Sequence, residues 1–489
     1  LHNYCFPSDI RSRLAEKLVE MSPDPLEKAF LVTTGAEATE CAIKLMRTWG
    51  VAQGGREKHV IVSYDNAFHG RTMGSQMAGG MPAGKSWIIN LDKGMVQVPY
   101  PDGFRCPDTS FEFFLKSLEM PCVYDVENDE LYELSPQAME LLSRCDGTHT
   151  AEELEPEEDF LAYCLEEEVL EVLDRPGRRV IVVGRNENPS LRYLMVEVTD
   201  RCNLRCRHCY LGGVGTADLE WETARRIIED FDDMGGLRLM VTGGEPLLYP
   251  HFELLNRELA QRSFRAVLIS NGTLMEGIDL RGLNFREIQY SLDGLEEGHD
   301  FLRGGGSYGN AFKALRRTLQ AGIDVSVATV IHSRNLHELE RLGEILFEMD
   351  VRSWTLEYPV EWGRMRENRE LMPDLEAAAP LFEMEWGWGA HEGSPGYACG
   401  AHLANVEPGG RLVKCGYYRE EDGGEAGAEG GLRRAWLELP KMHLAGSCAE
   451  CDVLAECGGG CRFRAELMAG PGGPDPLMCV RMGKPWRRR

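Results

Sequence analysis

The feature that most constrains this chain is a loop with three closely spaced cysteines, directly after an apolar stretch. The stretch at 193–198 is typical of a buried β-strand, and the loop after it contains Cys202, Cys206 and Cys209 in C-x3-C-x2-C spacing. Three thiolates can hold three irons of a cubane cluster, but such clusters normally have four cysteine ligands. No fourth cysteine follows at a comparable spacing. The spacing therefore predicts an iron-sulfur cluster with one iron open to an outside molecule.

At these residues the sequence resembles the radical S-adenosylmethionine (SAM) superfamily. The resemblance implies that the amino and carboxylate groups of SAM bind the open iron of a 4Fe-4S cluster held by the three cysteines. Reduction of the cluster would then cleave SAM to a 5'-deoxyadenosyl radical, which abstracts a hydrogen from a substrate. The alternatives are a zinc site or three scattered core cysteines.

The segment after the cysteine loop alternates strands with helices. The predicted strands are 193–198, 237–242, 265–270, 287–292, 323–331 and 353–358, and the predicted helices are 221–234, 252–262, 308–321 and 336–349. Repeated βα units require a parallel sheet, and six of them fit the partial, TIM-like (β/α)6 barrel of the radical SAM family. We therefore predict an α/β radical SAM core over residues 190–373, with its chemistry at the carboxyl ends of the strands.

A glycine-rich motif follows the second predicted strand. Gly243, Gly244, Glu245 and Pro246 match the corresponding motif of the family. Two glycines let a backbone approach a ligand closely. The resemblance implies that this segment binds SAM, with the Glu245 carboxylate accepting a hydrogen bond from the methionyl ammonium.

Polar residues also follow the third and fourth predicted strands. Asn271 follows the third strand, and the fourth ends in a segment that contains Ser291 and Asp293. The resemblance implies that Asn271 lines the SAM pocket and that Ser291 and Asp293 contact the SAM ribose. Arg303 lies in a stretch that resembles one found in several peptide-modifying members, where it could contact the SAM carboxylate or the substrate. The alternative is a solvated arginine in a polar turn.

Seven cysteines beyond residue 373 resemble the SPASM extension of radical SAM enzymes, which implies a domain over residues 374–489 with two auxiliary iron-sulfur clusters. One cluster would be held by Cys448, Cys451, Cys457 and Cys479, and the other by Cys399, Cys415 and Cys461. The second set lacks an evident fourth cysteine, so its cluster would have an open iron or a non-cysteine ligand such as His402. A zinc ribbon is the alternative.

The first 120 residues have a different signature. A turn of small residues at 33–36 opens a predicted helix whose N-terminus could bind a phosphate, and a strand at 60–64 leads to Phe68, His69 and Gly70. These residues resemble class III aminotransferases, which use pyridoxal phosphate (PLP). PLP chemistry needs a Schiff-base lysine and an acidic partner for the pyridine nitrogen, and the sequence changes character before either. We interpret residues 1–120 as an aminotransferase fragment without PLP, rather than a working domain.

Residues 121–185 begin with a hairpin pattern. Two alternating apolar stretches flank Asn128 and Asp129, Ser135 caps a predicted helix at 137–145, and a further helical region and a strand at 180–183 follow. This order resembles the winged-helix peptide-recognition domain of the pyrroloquinoline-quinone chaperone type. The resemblance implies that a leader peptide adds as an extra strand to the edge of the sheet. A small structural domain without a ligand is the alternative.

Composition limits the compartment and the partners. The formal net charge of −26 argues against a nucleic-acid surface, which needs clustered Lys and Arg. No apolar run is long enough to cross a membrane, and no signal peptide opens the chain. The C-x2-C and C-x3-C spacings among the 16 cysteines favour metal ligation in a reducing compartment. We therefore expect a cytoplasmic protein without a membrane or nucleic-acid partner.

These motifs predict a radical SAM, SPASM-type oxidoreductase that modifies a peptide or protein. The leading substrate is a ribosomally made precursor with a leader peptide, and the electron donor would be of the flavodoxin or ferredoxin type. The alternative within the family is an enzyme of the sulfatase-maturase type, which matures a protein or a cofactor. Other classes are a PLP-dependent aminotransferase remnant and a noncatalytic peptide-binding iron-sulfur protein.

Overall fold

The structure is a computed structural model, and it divides the chain into two compact units, Leu1–Thr109 and Ser110–Arg489. Cys399 lies outside the described residues. Of the strand predicted at 180–183, only residue 183 is described. The structure describes residues 9–22, 26–55, 58–64, 67–98, 113–154, 156, 158–166, 169–170, 172, 183–185, 189–387, 400–420, 422–428, 430–444 and 446–486.

The first unit combines helices with a two-stranded parallel sheet. Its helices are α1 (Asp9–Glu20), α2 (Gly35–Gly54), α3 (Met73–Ala78) and α4 (Pro82–Lys85), and its strands are β1 (Ile61–Tyr64) and β2 (Met95–Val98). Helix α2 begins where the sequence predicts because Thr34 caps it, with its hydroxyl accepting a hydrogen bond from the Glu37 N–H at 3.1 Å. The strand predicted at 60–64 is present as β1.

The second unit begins with a small sheet in the order β5-β4-β3-β6, followed by short helices. Its elements are β3 (Phe113–Ser117), β4 (Pro121–Asp125), β5 (Glu130–Glu133), α5 (Pro136–Arg144), α6 (Ala151–Leu154), α7 (Glu158–Glu166) and β6 (Gly184–Arg185). β4 and β5 form an antiparallel hairpin around Asn128 and Asp129. The Asp125 carboxylate stabilises the turn by accepting from the Asn128 N–H at 3.0 Å. β3 precedes residue 121, where the sequence places a domain boundary, but it pairs with β4.

Six parallel strands in chain order form one side of a nine-stranded sheet, with the last of them at its edge. They are β7 (Tyr193–Thr199), β8 (Arg238–Gly243), β9 (Arg265–Ser270), β10 (Glu287–Ser291), β11 (Asp324–Val330) and β12 (Ser353–Glu357). The connecting helices are α8 (Trp221–Asp233), α9 (Phe252–Glu258), α10 (Glu296–Arg303), α11 (Ser307–Gln320) and α12 (Leu339–Glu348). Only 3-10 turns, at Met275–Gly277 and Leu280–Gly282, connect β9 to β10. The predicted α/β, TIM-like fold is confirmed.

The C-terminal region adds three more strands to the same sheet. After α13 (Leu375–Ala378), β13 (Leu403–Val406) pairs in parallel with β7, and β14 (Arg411–Val413) and β15 (Asp422–Glu425) continue the sheet in antiparallel fashion. The remaining helices are α14 (Gly431–Glu438), α15 (Leu454–Cys457), α16 (Arg462–Ala469) and α17 (Pro476–Arg481). The cysteine-rich region is thereby joined to the strand that leads into the cysteine loop. No helix of the described ranges is long and apolar enough to cross a membrane.

The small sheet packs against the amino-terminal ends of the barrel strands. The Lys116 ammonium donates hydrogen bonds to the carbonyls of Gly236 (3.0 Å) and Ser263 (2.7 Å), which directly precede β8 and β9. Arg265, the first residue of β9, donates to the Val126 carbonyl at 2.9 Å. The hairpin therefore lies at the end of the barrel opposite the cysteine loop.

Candidate active site

The cysteine loop leaves the carboxyl end of β7, with Cys202, Cys206 and Cys209 as free thiols that are half-buried. Burial raises the pKa of Cys202 and raises that of Cys206 to about 11. These thiols are therefore protonated at neutral pH without a metal, and binding iron would release their protons. Three sulfur donors on one short loop fit the iron-sulfur cluster that the sequence predicts.

Gly243 and Gly244 lie against the backbone of the cysteine loop. The Gly244 N–H donates to the Thr199 carbonyl at 2.8 Å, and the next N–H donates to the Arg201 carbonyl at 2.7 Å. A Cβ on Gly243 would lie 2.1 Å from the Thr199 oxygen, and one on Gly244 would lie 2.2 Å from the Arg201 oxygen. These two glycines thus let the backbone at the end of β8 pack directly against the backbone of the cysteine loop and hydrogen-bond to it.

Glu245 is a buried carboxylate at the end of β8. It accepts hydrogen bonds from the Ser270 hydroxyl (2.9 Å) and the Asn271 N–H (2.9 Å). Pro246 follows and opens a 3-10 turn, Pro246–Leu248. Burial raises the pKa of Glu245 to about 7, and no described residue forms an ion pair with it. A cationic ligand group, such as an ammonium, would stabilise its ionised form.

Asn271, at the end of β9, reaches the cysteine loop. Its side-chain amide donates to the Asn203 side-chain oxygen at 2.9 Å and lies 4.0 Å from the sulfur of Cys202. Ser291, the last residue of β10, is half-buried. Both residues are at the same end of the barrel as the three cysteines, as the sequence predicts for the ends of parallel strands.

Asp293 and Arg303 form a buried ion pair beside the cysteine loop. Burial alone would raise the pKa of Asp293, but the Arg303 guanidinium and His208 lower it below its usual range. Asp293 also accepts from the Val330 N–H at 2.9 Å. The Arg303 charge lies near Cys206 and stabilises its thiolate form. Both oxygens of Asp293 are thus engaged within the protein, an arrangement that sequence reasoning missed.

Two buried histidines lie near the ion pair of Asp293 and Arg303, and sequence reasoning missed both. Burial lowers the pKa of His208 to about 3 and that of His299 to about 4. His299 accepts from the Asp293 N–H at 3.1 Å. Within the described ranges, Nδ1 of His208 and Nε2 of His299 have no hydrogen-bond partner. The position of His208 between Cys206 and Cys209 is a sequence signal, whereas the fold alone brings His299 to the site.

A cavity opens between the cysteine loop, the strand ends and the C-terminal region. Its free space, including the opening to solvent, is about 270 Å³. His208 and Tyr210 of the cysteine loop line it, together with Glu357 at the end of β12 and Tyr417 of the C-terminal region. The rings of Tyr210 and Tyr417 lie 5.5 Å apart. A substrate group in this cavity would contact the cysteine loop and the C-terminal region together.

The C-terminal cysteines fall into two groups. The set assigned to one auxiliary cluster lines a single cavity with about 690 Å³ of free space: Cys448, Cys451, Cys457 and Cys479. Four thiols around one cavity fit a four-cysteine cluster. Among the described residues, no three or more His, Cys, Asp or Glu side chains are arranged to hold a single metal ion.

The second group is only partly described. Cys415 and Cys461 are close enough for the charge of Cys415 to contribute to raising the pKa of Cys461, although burial is the main cause. The third cysteine of the set, Cys399, lies outside the described residues. Nδ1 of His402 lies 2.9 Å from the Ser190 carbonyl, so this ring nitrogen already has a partner within the protein.

Comparisons with known proteins match two family models. The Radical SAM superfamily model matches residues 196–346, and the Aminotransferase class-III model matches residues 2–119. Both matches agree with the resemblances found in the sequence. The two family segments do not overlap, and the C-terminal cysteines lie outside both.

Curated relatives match a little over half of the chain. Antilisterial bacteriocin subtilosin biosynthesis protein AlbA from Bacillus subtilis (strain 168) is 27% identical over 287 residues, which are 53% of this chain and 64% of AlbA. This chain thus matches slightly less than two thirds of that relative. AdoMet-dependent heme synthase from Oleidesulfovibrio alaskensis (strain ATCC BAA-1058 / DSM 17464 / G20) is 23% identical over 349 residues, which are 60% of this chain and 88% of the synthase.

A solved structure shares the fold. Streptococcus suis SuiB, crystallised with precursor peptide SuiA, matches with a TM-score of 0.53 at 16% identity, over 75% of this chain and 98% of SuiB. The family match covers the cysteine loop and the strand ends, which the structure brings to one end of the barrel. Residues 196–346 are therefore similar to the Radical SAM superfamily, as the cysteine loop predicts, and the fold is shared with SuiB.

Proposed function

We propose that this chain is a radical SAM enzyme that modifies a ribosomally made peptide. The observation that carries the proposal is the grouping of Cys202, Cys206 and Cys209 with Glu245 and Arg303 at the carboxyl end of the barrel, beside a cavity. When bound, the 4Fe-4S cluster and SAM supply a 5'-deoxyadenosyl radical that removes hydrogen from the substrate. The name of AlbA and the precursor peptide in the SuiB crystal support a peptide substrate.

The residues around the loop have separate roles in this proposal. The three cysteines hold the cluster, and the Arg303 charge favours the thiolate forms of Cys202 and Cys206. The Glu245 carboxylate is available for the ammonium of SAM because no described cation pairs with it. Asn271 positions the loop through its hydrogen bond to Asn203. The ion pair with Asp293 holds Arg303 in place.

The small sheet offers a place for a leader peptide. β5 is an edge of this sheet, and an edge strand presents unpaired N–H and C=O groups to which an extended peptide can add. The hairpin lies at the amino-terminal ends of the barrel strands, and the cysteines lie at the carboxyl ends. A strand of six residues, such as β8, spans about 20 Å at ~3.3 Å per residue. The substrate therefore needs about six or more extended residues between its leader contact and its modified residue.

The remaining cysteines support two auxiliary clusters in this proposal. One uses the four cysteines that share a cavity, and the other uses Cys399, Cys415 and Cys461. A flavodoxin or ferredoxin would supply electrons, in the cytoplasm. The thirteen cysteines within the described residues are all free, which suits a reducing compartment.

We propose no PLP chemistry for residues 1–120. The N-terminus of α2, where the phosphate of PLP would bind, is capped by the protein's own side chains. The Thr34 hydroxyl accepts from the Glu37 N–H, and the Glu37 carboxylate accepts from the Thr33 N–H at 3.0 Å. These bonds occupy donors that a phosphate would use.

Mass spectrometry of a candidate peptide tests the proposed function. The reconstituted protein is incubated with SAM, dithionite and a precursor peptide encoded beside its gene. We expect a mass change that requires SAM and is absent with Cys206→Ala. The similarity to AdoMet-dependent heme synthase makes a porphyrin the second candidate substrate. A modified porphyrin with an unchanged peptide in the same assay would contradict the peptide proposal.

A further inference from the structure

Glu357 has a carboxylate that the rest of the protein leaves without a partner. It is the last residue of β12, and its side chain lines the cavity beside the cysteine loop. None of the described residues donates a hydrogen bond to this carboxylate or forms an ion pair with it. Much of its surface is exposed because it faces the cavity, although dense protein surrounds the cavity. A ligand group that enters the cavity can therefore reach this carboxylate.

The nearest cations are committed to other carboxylates. Arg303 forms its ion pair with Asp293. Arg464 donates to both oxygens of Asp475, at 2.8 and 2.6 Å. Burial and the charge of Asp293 raise the pKa of Glu357, and the two arginines only partly offset them. A cation that enters the cavity can therefore form an ion pair with Glu357 without displacing an arginine of the protein.

The position of Glu357 favours the substrate over SAM as the source of that cation. The residues expected to bind SAM, from Gly243 to Asp293, all lie within the family match at 196–346. Glu357 and Tyr417 lie outside that match, and Tyr417 comes from the C-terminal region. The cavity thus has walls from the cysteine loop, from the end of β12, the sixth strand of the barrel, and from the C-terminal region.

The cavity is partly open to solvent, so a basic side chain can approach Glu357 from outside the protein. The net charge of −26 also favours the approach of a basic peptide over an acidic one.

We propose that Glu357 binds a cationic side chain, lysine or arginine, of the peptide substrate and so positions the peptide beside the cysteine loop. This inference rests on the proposed function and names the class of substrate residue that enters the cavity. The Glu357 carboxylate would accept a charge-assisted hydrogen bond from the substrate cation. His208 and Tyr417 also line the cavity.

Ligand-observed saturation-transfer NMR on the SAM-bound holoprotein tests this inference without turnover. The probes are Nα-acetyl-lysine methylamide and its neutral match, Nα-acetyl-norleucine methylamide. The variants are Glu357→Gln and, as a control, Glu361→Gln. Glu361 is four residues further along the chain and pairs with Arg369 outside the cavity lining. We expect the dissociation constant of the lysine probe to rise about ten- to a hundredfold in Glu357→Gln and to stay unchanged in Glu361→Gln.

Three results would overturn the inference. The first is equal binding of the lysine probe by the wild type and Glu357→Gln, and the second is equal binding of the lysine and norleucine probes by the wild type. The third is a loss of SAM affinity in Glu357→Gln, measured by calorimetry, with no change for the lysine probe, which would place Glu357 in the SAM pocket. Because neither measurement needs turnover, their failure is separate from a failure of peptide modification.

Discussion

Replacing Glu245 with glutamine tests the electrostatic role of the buried carboxylate at the end of β8. Glu245 is fully buried, and burial raises its pKa from 4.5 to about 7. At ~1.4 kcal/mol per pKa unit, this shift corresponds to at most about 3.5 kcal/mol for ionising the group in the folded protein. Because the folded protein holds this proton more tightly than the unfolded chain, the free energy of unfolding should fall as the pH rises from 4.5 to 7.

Glutamine can keep the hydrogen bonds of Glu245 without the charge. Its carbonyl oxygen can accept from the Asn271 N–H, and its amide can donate to the Ser270 hydroxyl, which also acts as an acceptor. We expect the cluster-free Glu245→Gln variant to be more stable than the wild type at pH 8, by up to about 3.5 kcal/mol. At pH 4 the two proteins should be nearly equal in stability. The same variant should bind SAM about tenfold more weakly, because an ammonium loses its anionic partner.

Urea unfolding at pH 4, 5, 6, 7 and 8, followed by tryptophan fluorescence, measures the difference between the two proteins. Other titrating groups contribute equally to both, so the difference reports on Glu245. The control is Glu253→Gln, an exposed glutamate of α9, which should follow the wild type at every pH. A constant difference between Glu245→Gln and the wild type across this range would refute the reasoning.

Three further predictions concern the ion pair, the sheet interface and the clusters. Arg303→Met leaves Asp293 as an unpaired buried charge and should lower the free energy of unfolding by about 3–5 kcal/mol. The double variant with Asp293→Asn should recover much of this loss. A loss of under about 1 kcal/mol in the single variant would contradict the pairing. Burial lowers the pKa of Lys116 to about 8, so the stability of the wild type should rise relative to Lys116→Met between pH 8 and 10.5; parallel curves in urea unfolding would contradict this. Iron analysis of the reconstituted protein should give about twelve irons per chain and about eight in Cys206→Ala, whereas about four in the wild type would exclude three clusters.

The barrel could be predicted from the sequence because its signal is local and repeated. Parallel strands buried on both faces read as short apolar runs, and each run is followed by a helix pattern or a turn. The sequence therefore predicts that the polar residues after the runs, from Glu245 to Asp293, lie at one end of the barrel. The structure shows these residues around the cysteine loop.

The contacts between distant segments could not be predicted. Nothing in the short run of β13 specifies that it pairs with β7, about two hundred residues earlier. The same holds for Lys116, whose ammonium reaches carbonyls before β8 and β9. The unpaired carboxylate of Glu357 is also a property of the fold, because it depends on which cations the neighbouring elements bring close and which of these are already paired. Sequence patterns predict the strands, the helices and the residues at the strand ends. The pairing of side chains across the barrel depends on the three-dimensional fold.

The most direct test of the central claim is SAM cleavage by the reconstituted protein. The protein is reconstituted anaerobically with iron and sulfide, its cluster is verified by absorbance, and SAM and dithionite are added. We predict the formation of 5'-deoxyadenosine, and its loss when Cys202, Cys206 and Cys209 are replaced with alanine. No 5'-deoxyadenosine from wild-type protein with a verified cluster would contradict the account.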